Sequence, residues 1–204
     1  MPKPRKVSQR KVRRRILILC EGAKTEPIYF AGIKTDKTLD HQLTGLRIEI
    51  FDTIYNTGME LVKQAVQLKK EAVKDQNPYD SIWVVVDLDG YAKHPQAFQM
   101  AKQYKINMVF SAISFEYWFL LHFGKFNIPF KRSREVESYL REKNFYRGYK
   151  KSHQHYEQLK GKTYRAIENA KWLREQINYD KEIPYYKYNP FTNVDELVEY
   201  LLQL

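Results

Sequence analysis

Two apolar runs in this chain end abruptly in acid and glycine. They are Ile16-Leu-Ile-Leu-Cys-Glu-Gly22 and Trp83-Val-Val-Val-Asp-Leu-Asp-Gly90. The first delivers Glu21 to a strand end; the second delivers Asp87 and Asp89. If the two strands lie parallel in one sheet, the three carboxylates converge on one rim. Side chains alternate along a strand, so Asp87 and Asp89 share a side if the chain stays extended. Carboxylates gathered without cationic partners repel one another, and such a cluster calls for a divalent cation such as Mg²⁺ or Mn²⁺. In a basic protein, that cluster points to phosphodiester chemistry on nucleic acid.

The elements that must position these acids follow from the pattern. Ile16–Cys20 is a continuous apolar run, as expected of a central parallel strand covered on both faces. Gly22 permits a tight exit. Thr25 has N-cap character and Pro27 suits a first helical turn. Residues 46–52 alternate enough to form a second, more exposed strand. Residues 58–73 read as an amphipathic helix, with Met59, Val62, Val66 and Val73 near helical spacing. Residues 81–86 form the strongest strand, 97–104 a short helix and 106–112 a fourth strand. Residues 115–123 are apolar nearly all round and read as a buried helix around Glu116. Strand and helix alternate, so the fold class is α/β, a mainly parallel sheet sandwiched by helices.

Beyond Gly124 the composition turns to Lys, Arg and Tyr, with helices near 133–143 and 163–178. Asn189-Pro-Phe-Thr-Asn193 reads as a turn and cap before a last helix over 194–202. The organisation is thus a basic arm (1–15), an α/β core (16–124) and a mostly helical elaboration packed on it (125–204).

Composition bounds the partners. The chain has 204 residues, a net charge of +11, 43% hydrophobic residues, 16 Tyr, 11 Phe and 3 Trp. That is enough apolar matter for one packed domain, and the charge favours an anionic partner. The excess is concentrated where Lys3, Arg5, Lys6, Arg10, Lys11, Arg13, Arg14 and Arg15 follow one another without an acid. This is either an arm that neutralises phosphates or a solvated tail. No segment reaches the roughly 18 apolar residues needed to cross a bilayer. The single cysteine, Cys20, lies in a buried-type strand and reads as packing. A cytoplasmic location is expected.

Taken together, Glu21-Gly22 and Asp87-Leu-Asp89 resemble the signature of the TOPRIM domain of topoisomerases, primases and OLD-type nucleases. More narrowly, Cys20-Glu-Gly-Ala-Lys-Thr-Glu-Pro27, Val86-Asp-Leu-Asp89, Ser114-Phe-Glu-Tyr-Trp-Phe-Leu-Leu-His-Phe123 and Asn189-Pro-Phe-Thr-Asn193 resemble the RloB-like family. The resemblance implies a TOPRIM-like fold, a setting in bacterial phage defence and, often, a neighbouring ATPase partner. The chain departs from the family where Ala112-Ile113-Ser114 stands in place of the usual Asn-Pro before Phe115-Glu116.

The expected mechanism is metal-assisted hydrolysis. Asp87 and Asp89 hold Mg²⁺ or Mn²⁺, and Glu21 is a further ligand or the general acid or base. Glu116 is either a fourth carboxylate at the metal or a buried helix residue paired with a base. Lys24 meets a phosphate or is a solvated lysine at a helix start. Glu26 either caps its helix, the preferred reading, or reaches the metal. Arg147, Lys150 and Lys151, interleaved with tyrosines over 145–156, either contact nucleic acid or frame a tyrosine-rich piece of core. His153 and His155 read as solvent-exposed and His122 as a core residue. There is no Gly-x-x-x-x-Gly-Lys-Ser/Thr loop, so ATP chemistry would have to come from a partner. A non-cutting module that binds nucleic acid or an ATPase, and nucleotidyl transfer, are the alternatives.

Overall fold

The computed structural model describes residues 14–39, 46–50, 57–88, 94–142 and 145–204. Among the described residues, five strands form one sheet in the order β2-β1-β3-β4-β5: β1 (Ile16–Cys20), β2 (Leu46–Ile50), β3 (Ser81–Asp87), β4 (Asn107–Ala112) and β5 (Phe191–Thr192). The first four run parallel, and β5 pairs antiparallel with β4. The α/β reading with a mostly parallel sheet is therefore correct.

Helices cover both faces, as the unbroken apolar strands require. On one face α2 (Gly58–Lys74) and α3 (His94–Gln103) pack on Leu17, Leu19, Val84 and Val86. On the other, α1 (Thr25–Thr35), α4 (Glu116–Leu121), α5 (Ser133–Glu142), α6 (His155–Leu159), α7 (Thr163–Gln176) and α8 (Val194–Leu202) surround Ile16, Ile18, Cys20 and Val85. The alternation of strand side chains sorts the two cores. Every residue of α4 is buried, so the all-round apolar run is indeed an internal helix.

Local signals set several ends. Thr57 caps α2 by accepting from Glu60 N at 3.3 Å, and its hydroxyl also lies 3.3 Å from the Glu60 carboxylate. Thr25 does not cap α1: Lys24 occupies the N-cap position, and Thr25 is the first helical residue, with its hydroxyl turned to Glu116. Asn193 stands at the N-cap of α8, but its side chain serves the sheet instead, accepting from Phe110 N at 2.8 Å. The turn expected at 189–193 thus also contains β5. A two-residue strand is below what periodicity can register.

The C-terminal half is tied down by charge as well as apolar contact. Arg174 of α7 donates to both oxygens of the fully buried Asp195 of α8, at 2.7 and 2.6 Å, and to the Thr192 carbonyl of β5 at 2.8 Å. Tyr146, Tyr149 and Tyr156 are buried in the same core, so these three are packing residues and do not stack bases. His155, expected at the surface, is completely buried, with Nδ1 3.0 Å from the Tyr146 hydroxyl. Its ring lies nearly parallel to Tyr149, which a basic-looking segment gave no means of foreseeing. His122 is a core residue as expected, Nδ1 lying 3.0 Å from the Trp118 carbonyl. Burial lowers both imidazoles to about 4, so both are neutral at physiological pH.

Candidate active site

Strand β1 connects to β2 on one side, and the chain then crosses to β3 on the other. The carboxyl ends of β1 and β3 therefore flank the point where strand order reverses, the crevice in which open α/β sheets build their sites. A cavity of about 680 Å³ opens there, and Glu21, Glu26, Asp87 and Glu116 all line it.

Each acid is placed by a different element. Glu21 continues the β1 ladder, its N–H donating to the Val85 carbonyl at 3.0 Å. Its Oε2 accepts from the Asp87 backbone N–H at 3.1 Å, which fastens the ends of β1 and β3 side by side. Asp87 is the last residue of β3, on the same face as Trp83 and Val85. It is only half-buried as a residue, yet its Oδ1 is out of solvent and has no hydrogen-bond partner. Burial, reinforced by Glu26, Glu116 and Glu21, pushes its carboxyl well above the usual carboxylate range, while the Phe115 backbone amide pulls the other way.

Glu26 lies in the first turn of α1 with only 5% of its surface exposed. It packs directly on Gly22: a Cβ at that glycine would stand 2.3 Å from Glu26 Oε2. This close approach is why the strand exit carries glycine. Burial and the charge of Glu116 raise the Glu26 carboxyl to about 7, against the pull of Lys151 and of the backbone amides of Glu26 and Gly22. Glu26 thus takes backbone amides at the helix start while lining the cavity.

Glu116 opens α4 and is 3% exposed. Its Oε1 accepts from the Tyr149 hydroxyl, lies 3.5 Å from the Thr25 hydroxyl, and sits 4.0 Å from Lys151 Nζ. Lys151 is held in turn by Glu137 of α5 at 3.1 Å. Glu116 is therefore both a cavity carboxylate and a buried acid paired with a base. Cys20 lies buried beneath this group, its thiol pushed up by burial and by Glu26 and Asp87, which makes it packing and not a nucleophile.

Of the other residues singled out above, Lys24 and Lys151 line the cavity. Arg147 and Lys150 are exposed and lie outside its wall. Arg14 and Arg15 precede β1 and so sit at its amino end, roughly a strand length of about 17 Å from the carboxylates. Arg15 is engaged there, its N–H on Asp80 at 2.6 Å and its guanidinium 4.4 Å from the Tyr79 ring centre. Asp89 and Arg13 lie outside the described residues. Sequence reasoning passed over Ser114, Lys131, Arg132 and Ser133, which complete the wall. The only signal for the last three was a Lys-Arg-Ser step at a helix start, far from the acids in sequence.

The donor chemistry suits a hard divalent cation: carboxylate oxygens on one cavity, one of them buried and without a partner. Among the described residues, no three His, Cys, Asp or Glu side chains already stand together as a ready-made metal site. Asp87 and Glu21 are the described acids best placed to hold an ion. Among the same residues, no helix is long and apolar enough to cross a membrane.

No curated protein and no solved structure matches the chain. A family model described as RloB-like protein matches residues 16–201, from the first residue of β1 almost to the end of α8. The chain therefore belongs to the RloB-like family.

Proposed function

We propose that this chain is a Mg²⁺- or Mn²⁺-dependent nuclease of TOPRIM type, cleaving phosphodiester bonds at the cavity between β1 and β3. The observation that carries the reading is the buried, partnerless Oδ1 of Asp87 among Glu21, Glu26 and Glu116. A protein that merely gripped polyanions would gain nothing from carboxylates gathered in its cleft. Asp87 and Glu21 would hold the ion, with Asp89 of the same motif. When bound, a divalent cation offsets charge on a phosphate and makes water more acidic.

The remaining steps fall to the protein. Glu26, raised to about 7, gains or releases a proton at its carboxyl near neutral pH, as a general acid or base requires. Glu116, anchored by Tyr149 and Lys151, is held beside Glu26, where it contributes to that shift. Lys24 at the rim meets phosphate oxygen. The RloB-like membership and the resemblance behind it extend the proposal to a cytoplasmic phage-defence protein acting beside an ATPase partner.

The test is purified wild type and Asp87→Ala, side by side, on labelled DNA and RNA with Mg²⁺, Mn²⁺ or EDTA. Cleavage that requires the ion and disappears in the variant is the expected result. Equal nucleic-acid binding by both proteins with no cleavage would replace the enzyme by a binding module. Nucleotide incorporation in place of fragments would reassign the site to nucleotidyl transfer.

A further inference from the structure

The cavity has a second wall of opposite sign. Lys24 stands at the entry to α1, and Lys131 and Arg132 stand at the entry to α5. All three are exposed, and none makes an ion pair among the described residues. Lys151, by contrast, is already engaged with Glu137 and Glu116. The start of α5 is also answered internally, since Glu135 Oε2 accepts the Lys131 N–H at 2.9 Å. What remains available on this wall is therefore side-chain charge. Ser114, which also lines the cavity, is 2% exposed and its hydroxyl has no partner among the described residues. Buried hydroxyls are normally bonded, so an unanswered one on a cavity wall points to a polar ligand.

A carboxylate-rich peptide would meet repulsion from Asp87, Glu21 and Glu26. A nucleic-acid strand presents phosphates at regular intervals, and one can lie against the cations while its neighbour faces the acids. We infer that Lys24, Lys131, Arg132 and the Ser114 hydroxyl form a subsite for a phosphate group of a nucleic-acid strand, next to the position held against the carboxylates. The inference rests on reading the cavity as a nuclease site and specifies how the strand is held there. The phosphate is either the terminal monoester of a strand or an internal diester.

The experiment measures binding without cleavage. Single-stranded DNA and RNA oligonucleotides, 3′-labelled and carrying or lacking a 5′-phosphate, are titrated in EDTA at several salt concentrations. The proteins are wild type, the double variant Lys131→Ala/Arg132→Ala, Ser114→Ala, and a charge-matched control, Lys63→Ala/Lys74→Ala, on α2 across the sheet. The expected result is a loss of about tenfold or more for the Lys131/Arg132 variant, with a shallower salt dependence. Ser114→Ala should lose several-fold, about threefold or more, at unchanged salt slope, and the control should lose less than either. A loss confined to 5′-phosphorylated strands assigns the monoester, and a loss on both strands assigns the diester; both support the subsite.

Equal losses in the Lys131/Arg132 variant and the control would reduce the effect to net charge and overturn the inference. So would unchanged affinity in the Lys131/Arg132 variant, or wild type that binds none of the strands. The two readings separate cleanly. Selective loss without any metal-dependent cleavage keeps the subsite and removes the nuclease. Asp87-dependent cleavage with unaltered binding in the Lys131/Arg132 variant does the reverse.

Discussion

The backbone N–H of Asp87 donates to Glu21 Oε2 at 3.1 Å, joining the ends of two strands through residues 66 apart in the chain. This bond makes the Glu21 side chain part of the β1–β3 ladder and sets its carboxylate beside the Asp87 carboxyl. Tied to the Asp87 backbone, the Glu21 carboxylate stays near the Asp87 carboxyl and helps to raise it. The site thus carries electrostatic strain that a cation would relieve.

Asp87→Asn separates the cost of that strain from its use. The amide removes a carboxyl whose ionisation burial and three other acids disfavour, so the variant should melt at a higher temperature than wild type at neutral pH. Metal-dependent cleavage should fall by at least about 100-fold, the upper end of what losing a ligand's own hydrogen-bond partner costs. Added Mg²⁺ should raise the melting temperature of wild type and not of the variant, because an ion bound only by the folded state stabilises by mass action. Thermal scans with and without Mg²⁺, paired with a cleavage assay, check all three.

Gly22→Ala should displace Glu26, although Gly22 itself is only half-buried. The new Cβ would fall 2.3 Å from Glu26 Oε2 and 2.8 Å from its carboxyl carbon, so the buried acid must leave its place. The displaced atoms are the end of a flexible side chain, so the destabilisation should be about 1 kcal/mol, the low end for overpacked interiors. Cleavage should drop even at temperatures where the variant is fully folded. Chemical denaturation and single-turnover kinetics report the two effects, and wild-type kinetics in a folded variant would remove Glu26 from the mechanism.

The pH dependence of stability has a definite sign. Glu26 is raised from 4.5 to about 7, so between these values the folded protein binds more protons than the unfolded chain. Stability therefore declines as pH rises through this window, and the contribution is lost above about 7. Asp87, also raised, acts in the same direction. Glu26→Gln should flatten the decline between pH 4.5 and 7. Denaturant midpoints measured across that range test this, and an identical slope in the variant would refute it.

Away from the cavity, Arg174 and Asp195 form a two-point ion pair in which the acid is fully buried. Arg174→Ala leaves that carboxylate without its cation and should cost about 3–5 kcal/mol. The double change Arg174→Met/Asp195→Leu should recover much of the loss, since no buried charge is then stranded. Urea titrations of the three proteins decide the matter.

Much of the fold was legible because it rests on local periodicity. Strands β1 and β3 are mainly apolar runs, and α2 and α8 have clean apolar stripes, α2 with its capping Thr57 before it. The pieces that escaped notice depend on distant partners. Strand β5 exists because β4 offers an edge, and His155 is buried because Tyr146, Tyr149 and Phe119 enclose it. Of the site, Glu21 and Asp87 were readable as acids closing buried strands, and Glu116 as an acid opening a buried helix.

By itself, then, the sequence determined the α/β class, the family membership and the pair of strand ends that carry Glu21 and Asp87, since hydrophobic period and adjacent residue types are local properties. Only the tertiary structure decided that Glu26 is a buried cavity acid, that Glu116 is bound to Tyr149 and Lys151, and that Lys131 and Arg132 line the same cavity as the carboxylates. Those outcomes depend on burial and on distances between residues far apart in the chain. Desolvation and Coulomb interaction respond to those distances and not to sequence separation.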